Sequence, residues 1–260
     1  LGGVVFPDVR AVLFGLGGTG LFLGALAYYL APERVLPTST GEAVYDAHAT
    51  NAADAVAELG LRDDRVYVPV GDRRVRLFVP QHEEYAVPDA EVLEGAFVVG
   101  EDPATRGLAL RPTGAGLYAE FERLAGDEAL AGDGAADRGA DALVGTLAEA
   151  LVDPFELVDA ADVDVDPGGG RATVAVGESA LGPVDGVDHP VASLLGVGLA
   201  AGLGVPVSVR VDRLVDGNTD DPGGDGANEG PAYRVTCTWD DEGNGREAEA
   251  ASGREAERTR

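Results

Sequence analysis

The chain contains 260 residues, 46 of them acidic and 19 basic, which gives a formal net charge of −27. This charge argues against nucleic acid as a partner, because proteins that bind nucleic acid need a basic surface. The only cysteine is Cys237, which excludes an intramolecular disulfide. Every basic residue is an arginine. Self-repulsion in so acidic a chain is screened in molar salt, so the composition favours a protein that works at high ionic strength.

Residues 11–30 form a charge-free run, AVLFGLGGTGLFLGALAYYL. Its GLGGTG segment satisfies the dinucleotide-binding motif G-x-G-x-x-G at Gly15, Gly17 and Gly20. A dinucleotide-binding turn would need a helix with one polar face and an acidic residue ending a second strand, and the sequence provides neither. The length instead matches a hydrocarbon core of about 30 Å. The sequence therefore predicts an N-terminal transmembrane helix, with a buried helix or a nucleotide site as alternatives.

Gly20 and Gly24 form a small-xxx-small pair on this predicted helix, a spacing that allows close helix–helix packing in a membrane. The expected partners are therefore the lipid bilayer and, at these glycines, either another protein or a second copy of the chain. Arg10 and Arg34 flank the run equally, so the positive-inside rule leaves the orientation open. We expect a cell-membrane protein with its soluble part in the cytoplasm.

The sequence predicts a membrane anchor and linker at residues 1–37, followed by a first soluble module at residues 38–125. A capping box beginning at Ser39 opens a helix that ends at about Leu59. A later helix is capped by Thr113. Alternating apolar and polar residues predict a hairpin and two further strands, at 66–70, 73–79, 97–99 and 107–110.

A linker at 126–138 separates this module from a second one at 139–239, and an acidic, disordered tail is predicted at 240–260. The second module has the order α-β-β-α-β-β, with elements at 139–152, 155–163, 171–176, 190–204, 206–214 and 232–239. Residues 190–209 are a second charge-free run, but Gly204 and Pro206 interrupt it. We interpret this run as a buried helix followed by a strand, with a second membrane span as the alternative. The predicted class is α+β: an N-terminal transmembrane helix followed by two small modules with antiparallel sheets.

Several segments resemble a family of uncharacterised haloarchaeal membrane-anchored proteins over most of residues 8–239. They are APERVLP, RVYVPVGDRRVRLFVPQHEEY, RPTGAGLYAEFE, GPVDGVDHPVAS and YRVTCTW. The resemblance implies an archaeal membrane location and a high-salt habitat, and it supplies no activity. Residues 171–239 are more weakly similar to vinyl-reductase-type small-molecule-binding domains. Those domains usually carry further cysteines, whereas this chain has only Cys237.

The Asp188-His189-Pro190 sequence precedes the second charge-free run. Asp188 suits the N-cap of a helix, and Pro190 suits its first position. A helix N-terminus can also bind an anion, so Asp188 and His189 are the candidate ligand-binding residues.

Catalytic and metal-binding patterns are missing from the sequence. Ser179 lies in GESALG, which fails the G-x-S-x-G pattern. The three histidines and single cysteine lack metal-ligand spacing, and the Asp-rich runs fail the calcium-loop pattern. No catalytic residue, metal or cofactor is assigned, and the sequence leans against an enzyme.

Five of the 19 arginines fall within 15 residues, at positions 62, 65, 73, 74 and 76. Arg73, Arg74 and Arg76 are predicted to contact anionic lipid headgroups or an acidic partner. The alternative is that they form ion pairs within the chain.

The sequence thus predicts a membrane-anchored protein of unknown activity, most simply a non-enzymatic module that binds a partner or ligand. One alternative is a small-molecule sensor or enzyme with a pocket against helix 190–204. Another is a structural assembly protein that associates through its membrane helix.

Overall fold

An eight-stranded antiparallel sheet with helices packed on one face carries most of this chain. The computed structural model describes residues 10–30, 38–71, 73–125, 139–214 and 232–240. The chain divides into two units, Leu1–Gly41 and Glu42–Arg260, and the sheet belongs to the second unit. The α+β class and the antiparallel pairing that the sequence predicts are both observed.

The α-helices of the described residues are α1 (Arg10–Leu30), α2 (Thr38–Glu58), α3 (Gly114–Ala125), α4 (Gly139–Val152) and α5 (Pro190–Leu203). The strands are β1 (Arg65–Pro69), β2 (Val75–Pro80), β3 (Phe97–Val98), β4 (Gly107–Leu110), β5 (Ala161–Asp166), β6 (Arg171–Val176), β7 (Val207–Arg213) and β8 (Tyr233–Trp239). Their order across the sheet is β3-β4-β2-β1-β7-β8-β6-β5.

The predicted N-terminal transmembrane helix is wrong. Helix α1 forms where the span was expected, but no helix in the described part of the chain combines the length and the apolar character that crossing a membrane requires. Five of its 21 residues are glycine, at positions 15, 17, 18, 20 and 24, and glycine adds almost no apolar surface. The predicted cell-membrane location depended on this helix and loses its support.

The GLGGTG segment lies inside α1, which is helical from Arg10 to Leu30. A dinucleotide-binding motif needs its glycines in a turn between a strand and a helix. This geometry excludes the nucleotide alternative for Gly15, Gly17 and Gly20.

The sheet joins strands from both sides of the predicted linker. Strand β1 pairs with β7, with Arg65 opposite Val209 and Tyr67 opposite Val207. The linker at 126–138 and residues 241–260 of the predicted tail lie outside the described residues. The strands of both predicted modules therefore share one hydrogen-bonded framework.

Strand β5 begins later than the sequence predicts, at Ala161 rather than near residue 155. The chain leaves α4 through a turn in which the backbone N–H groups of Phe155 and Leu157 donate to the carbonyls of Ala150 and Leu151. These hydrogen bonds hold residues 155–157 against the helix end, so they cannot pair with β6.

Helix α5 lies at the centre of the main core, packed between the sheet and helices α3 and α4. Residues 190–200 are all buried. A helix without a charged residue on any face is stable only when it is buried all round, so its sequence explains its position. A second, smaller apolar cluster lies on the opposite face of the sheet and includes Val66, Phe78 and Leu93.

Helix α3 begins in direct contact with the backbone of α5. A Cβ added to Gly114 would lie 2.4 Å from the carbonyl carbon of Ser193 and 2.5 Å from the nitrogen of Leu194. The backbone N–H of Gly114 also donates to Ser193 Oγ at 2.9 Å. Only glycine permits this approach, which places the rest of α3 beside the end of the β1–β2 hairpin.

We therefore expect Gly114→Ala to lower the free energy of unfolding by about 1–3 kcal/mol, because the added methyl group overpacks the α3–α5 contact. Gly116→Ala is the matched control in the same helix, since a Cβ there meets no atom within 4 Å. The control should be neutral or stabilising by up to about 1 kcal/mol. Urea unfolding in molar salt measures both changes, and equal effects would contradict the predicted overpacking at Gly114.

Candidate functional site

A pocket of about 540 Å³ opens between the end of the β1–β2 hairpin and helix α3. The apolar part of its lining, called the floor below, consists of Val70, Val75, Pro112, Ala115, Tyr118, Ala119 and Val197. Its charged side chains are four arginines and two glutamates: Arg73, Arg74, Arg76, Arg111, Glu94 and Glu122. The three arginines singled out in the sequence therefore line one pocket, together with a fourth.

The hairpin turn positions the first two of these arginines. Gly71 and Arg73 have left-handed backbone angles, with φ of 83° and 58°. The turn is closed by hydrogen bonds from Val70 N–H to the Arg74 carbonyl at 2.8 Å and from Arg74 N–H to the Gly71 carbonyl at 2.9 Å. Arg73 and Arg74 consequently lie at the tip of the hairpin, where both line the pocket.

The pairing of strands β2 and β4 positions the other two arginines, Arg76 and Arg111. Strands β2 and β4 pair with Leu77 opposite Leu110, so the next residues along, Arg76 and Arg111, are neighbours across the strands. Burial lowers the pKa of Arg76, and the adjacent charge of Arg111 lowers it further. A guanidinium remains charged in proteins, so this crowding is a cost that a bound anion would relieve.

The four arginines differ in how their charge is compensated. Arg73 Nη1 lies 2.9 Å from Glu122 Oε1, and Arg74 Nη2 lies 3.6 Å from Glu94 Oε1. Arg76 donates instead to backbone carbonyls, with Nε 2.8 Å from the Leu93 oxygen.

Arg111 is exposed, and among the described residues it has no carboxylate within 4.0 Å. The ion-pair alternative thus describes Arg73 and Arg74. Among the described residues Arg76 and Arg111 have no carboxylate within 4.0 Å, and the charge of Glu94 partly offsets that of Arg76.

Asp188 and His189 lie elsewhere, in a buried polar junction at the start of α5. His189 is the N-cap, because its Nδ1 accepts a hydrogen bond from the backbone N–H of Val191 at 3.2 Å. Asp188, the expected cap, turns toward α3 and β1. It accepts from Thr113 N–H at 2.6 Å and from Tyr67 Oη at 3.2 Å. These hydrogen bonds connect the N-terminal end of α5 to β1 and to the start of α3.

The junction also contains Ser179, whose Oγ lies 3.4 Å from His189 Nε2. Because Nδ1 accepts a hydrogen bond, the neutral imidazole carries its proton on Nε2 and donates it to the serine. Ser179 Oγ also accepts from the backbone N–H of Leu181 at 3.2 Å. Both side chains therefore make hydrogen bonds within the chain: His189 caps α5, and Ser179 holds the backbone of Leu181.

Burial determines the charge states at the junction. It lowers the pKa of His189 from the ordinary 6.5 to about 4, against an opposing effect of Asp185. Burial also raises the pKa of Asp188, although hydrogen bonds from Ser193, Thr113 and Tyr67 oppose the rise. His189 is therefore neutral near pH 7.

The other predicted site residues are not among the described residues that line this pocket. Gly20 and Gly24 belong to the first unit, where a Cβ at either would meet no described atom within 4 Å. No group of three metal-binding side chains is suitably placed anywhere in the described ranges. Sequence reasoning missed Arg111, Glu94 and Glu122, and only the β2–β4 register could have identified Arg111.

We expect His189 to make stability depend on pH. Its folded pKa of about 4 lies below the ordinary 6.5, so its contribution is fully present above pH 6.5 and is lost as the pH falls through 4. The loss between pH 7 and pH 4 should be about 3 kcal/mol. His189→Asn keeps a capping acceptor and should remove this part of the pH dependence.

Urea unfolding at pH 7, 5.5 and 4 in constant salt measures the difference between the wild type and His189→Asn. His48→Asn, at an exposed position on α2, is the control and should follow the wild type. Parallel pH profiles for the wild type and His189→Asn would contradict the prediction.

Comparison with known proteins identifies a family but no activity. A family model described as Domain of unknown function (DUF7982) matches residues 1–222. No curated protein and no solved structure matches the chain. The haloarchaeal origin and the likeness to vinyl-reductase-type domains stay predictions. Because the match covers most of its length, the chain belongs to the DUF7982 family of unknown function.

Proposed function

We propose that this protein is a non-enzymatic ligand-binding module whose pocket takes a small molecule with an anionic group and an apolar body. The observation that carries the proposal is Arg111, an exposed arginine beside Arg76 with no carboxylate within 4.0 Å among the described residues. In a chain with a net charge of −27, four arginines around one apolar floor are a local reversal of sign.

The shape and lining of the pocket support a ligand of this kind. A volume of about 540 Å³ falls within the range of small-molecule sites, which are mostly apolar with a few polar groups that orient the ligand. Here Val75, Val197 and Tyr118 offer apolar contacts, while the arginines supply the positive charge of the lining. A carboxylate, sulfonate or phosphate can accept a charge-assisted hydrogen bond from Arg111 while its apolar part lies on the floor.

The side chains around the pocket favour binding over catalysis. The described lining contains no serine, cysteine or histidine, and Glu122 is already engaged by Arg73. Val197 belongs to α5, so this pocket also suits the alternative of a small-molecule sensor with its site against helix 190–204. Ligand binding where α3, α5 and the hairpin meet would be the sensing event.

A pair of fluorescent probes tests the proposal. The anionic probe is 1-anilinonaphthalene-8-sulfonate, and the neutral one is N-phenyl-1-naphthylamine, which has the same rings without the sulfonate. The wild type should bind the anionic probe about tenfold more tightly, a preference worth about 1.4 kcal/mol. Arg111→Gln should abolish the preference while leaving binding of the neutral probe unchanged.

Two further variants locate the binding. Ala115→Leu places a larger side chain in the pocket and should weaken binding of both probes. Arg210→Gln removes an exposed arginine from β7 and should change neither. Equal affinities for the two probes in the wild type, or an Arg210→Gln effect as large as that of Arg111→Gln, would overturn the proposal.

A further inference from the structure

Tyr118 carries a hydroxyl without a hydrogen-bond partner in the lining of the arginine-lined pocket. Among the described residues that line this pocket, it is the one that has a hydroxyl group. The residue is 6% exposed, and its ring stacks on Phe121 with the two centroids 6.0 Å apart. No hydrogen bond joins its Oη to another described residue. Buried polar groups are nearly always satisfied, so this hydroxyl is available to a molecule that enters the pocket.

The Tyr118 hydroxyl can be reached from the pocket. In the described ranges, the side-chain nitrogen and oxygen atoms that are both sealed from solvent and unpartnered belong to Tyr45 and Arg65. Tyr118 Oη is unpartnered but is not one of these sealed atoms, so a molecule of the size of water can touch it. Because the rest of the residue is buried and lines the pocket, this contact is made from the pocket side.

The charges around the hydroxyl differ from those around the anion-binding arginines. Tyr118 and Glu122 are one turn apart on α3 and share a face of the helix. Burial raises the pKa of Tyr118, the charge of Glu122 raises it further, and the charge of Arg73 lowers it. At Arg76, the largest effect of a neighbouring charge comes instead from Arg111. The hydroxyl therefore belongs with the Arg73–Glu122 ion pair, apart from the two arginines that would hold the anionic group of the proposed ligand.

This part of the pocket suits a neutral polar group. Arg73 Nη1 lies 2.9 Å from Glu122 Oε1, so the two charges compensate each other. A second anionic group beside Tyr118 would meet the Glu122 carboxylate, and like charges repel. A phenol whose pKa is raised stays protonated near pH 7 and can donate to a neutral oxygen.

We propose that Tyr118 determines which ligands the pocket accepts, by donating a hydrogen bond to a neutral oxygen on the apolar body of the ligand. The ligand class is then a monoanion whose apolar body carries a hydroxyl or carbonyl oxygen apart from the anionic group. This inference rests on the proposed ligand-binding function and narrows it, because it adds a second polar contact to the one at Arg111.

Titration calorimetry with two matched anions tests the inference on the full chain at pH 7 in molar salt. The anions are naphthalene-2-sulfonate and 6-hydroxynaphthalene-2-sulfonate, which differ by one hydroxyl group. The wild type should bind the hydroxylated anion about fivefold more tightly, the gain expected from one hydrogen bond. Tyr118→Phe keeps the ring that stacks on Phe121 and removes only the hydroxyl. It should bring the ratio of the two affinities to about one and leave the affinity for naphthalene-2-sulfonate unchanged.

Tyr85→Phe is the matched control, because it removes a hydroxyl that lies outside the pocket, 3.5 Å from Ser208 Oγ. This variant should keep the wild-type preference. Equal affinities of the wild type for the two anions, or a preference that survives Tyr118→Phe, would refute the role of Tyr118 and leave the proposed function standing. If neither anion binds the wild type, the proposed function fails, and the role of Tyr118 fails with it.

Discussion

The burial of helix α5 is the constraint on which the rest of the structure depends. Its fourteen residues carry no charge, so every face must be covered. The neighbouring elements can pack closely on α5 because its surface carries glycines where they touch it. A Cβ at Gly196 would lie 2.3 Å from the Tyr67 ring, and one at Gly198 would lie 2.5 Å from Leu147. Side chains of the sheet and of α4 thus lie directly on the α5 backbone. Helix α3 also contacts that backbone, at Gly114.

The buried helix α5 contributes residues to two polar regions, the junction at its N-terminus and the arginine-lined pocket. At the N-terminus of α5, His189 caps the helix while Asp188 holds Thr113 and Tyr67, so buried polar groups fix how three elements meet. Farther along α5, Val197 forms part of the pocket floor beneath the arginines of the hairpin. In the first region, His189 and Asp188 are committed to internal hydrogen bonds. The second has four arginines and two glutamates in its lining, and it is there that we propose ligand binding.

The sequence predicted features that depend on local pattern and missed those that depend on distant pairing. Alternation identified the hairpin of β1 and β2, and the absence of charge identified α5 as buried. The pairing of β1 with β7 joins residues about 140 positions apart, which no local pattern records. The same limit hid Arg111, whose position beside Arg76 follows only from the β2–β4 register. The transmembrane prediction failed for another reason: it rests on the length of residues 11–30 and their lack of charge, and with five glycines in α1 that is not enough apolar character for a span.

The acidic composition also constrains what the arginine-lined pocket can recognise. In the molar salt that the composition favours, the Debye length is about 3 Å, so long-range attraction between the arginines and an anion is screened. Binding of the proposed ligand would then depend on direct contact: a hydrogen bond to Arg111 and burial of apolar surface on Val75, Val197 and Tyr118. Apolar burial contributes about 25 cal/mol per Å², and excluded salts such as sulfate strengthen it. A small hydrophilic anion would therefore gain little in this pocket, whereas a ligand that combines an anionic group with an apolar body would keep most of its affinity.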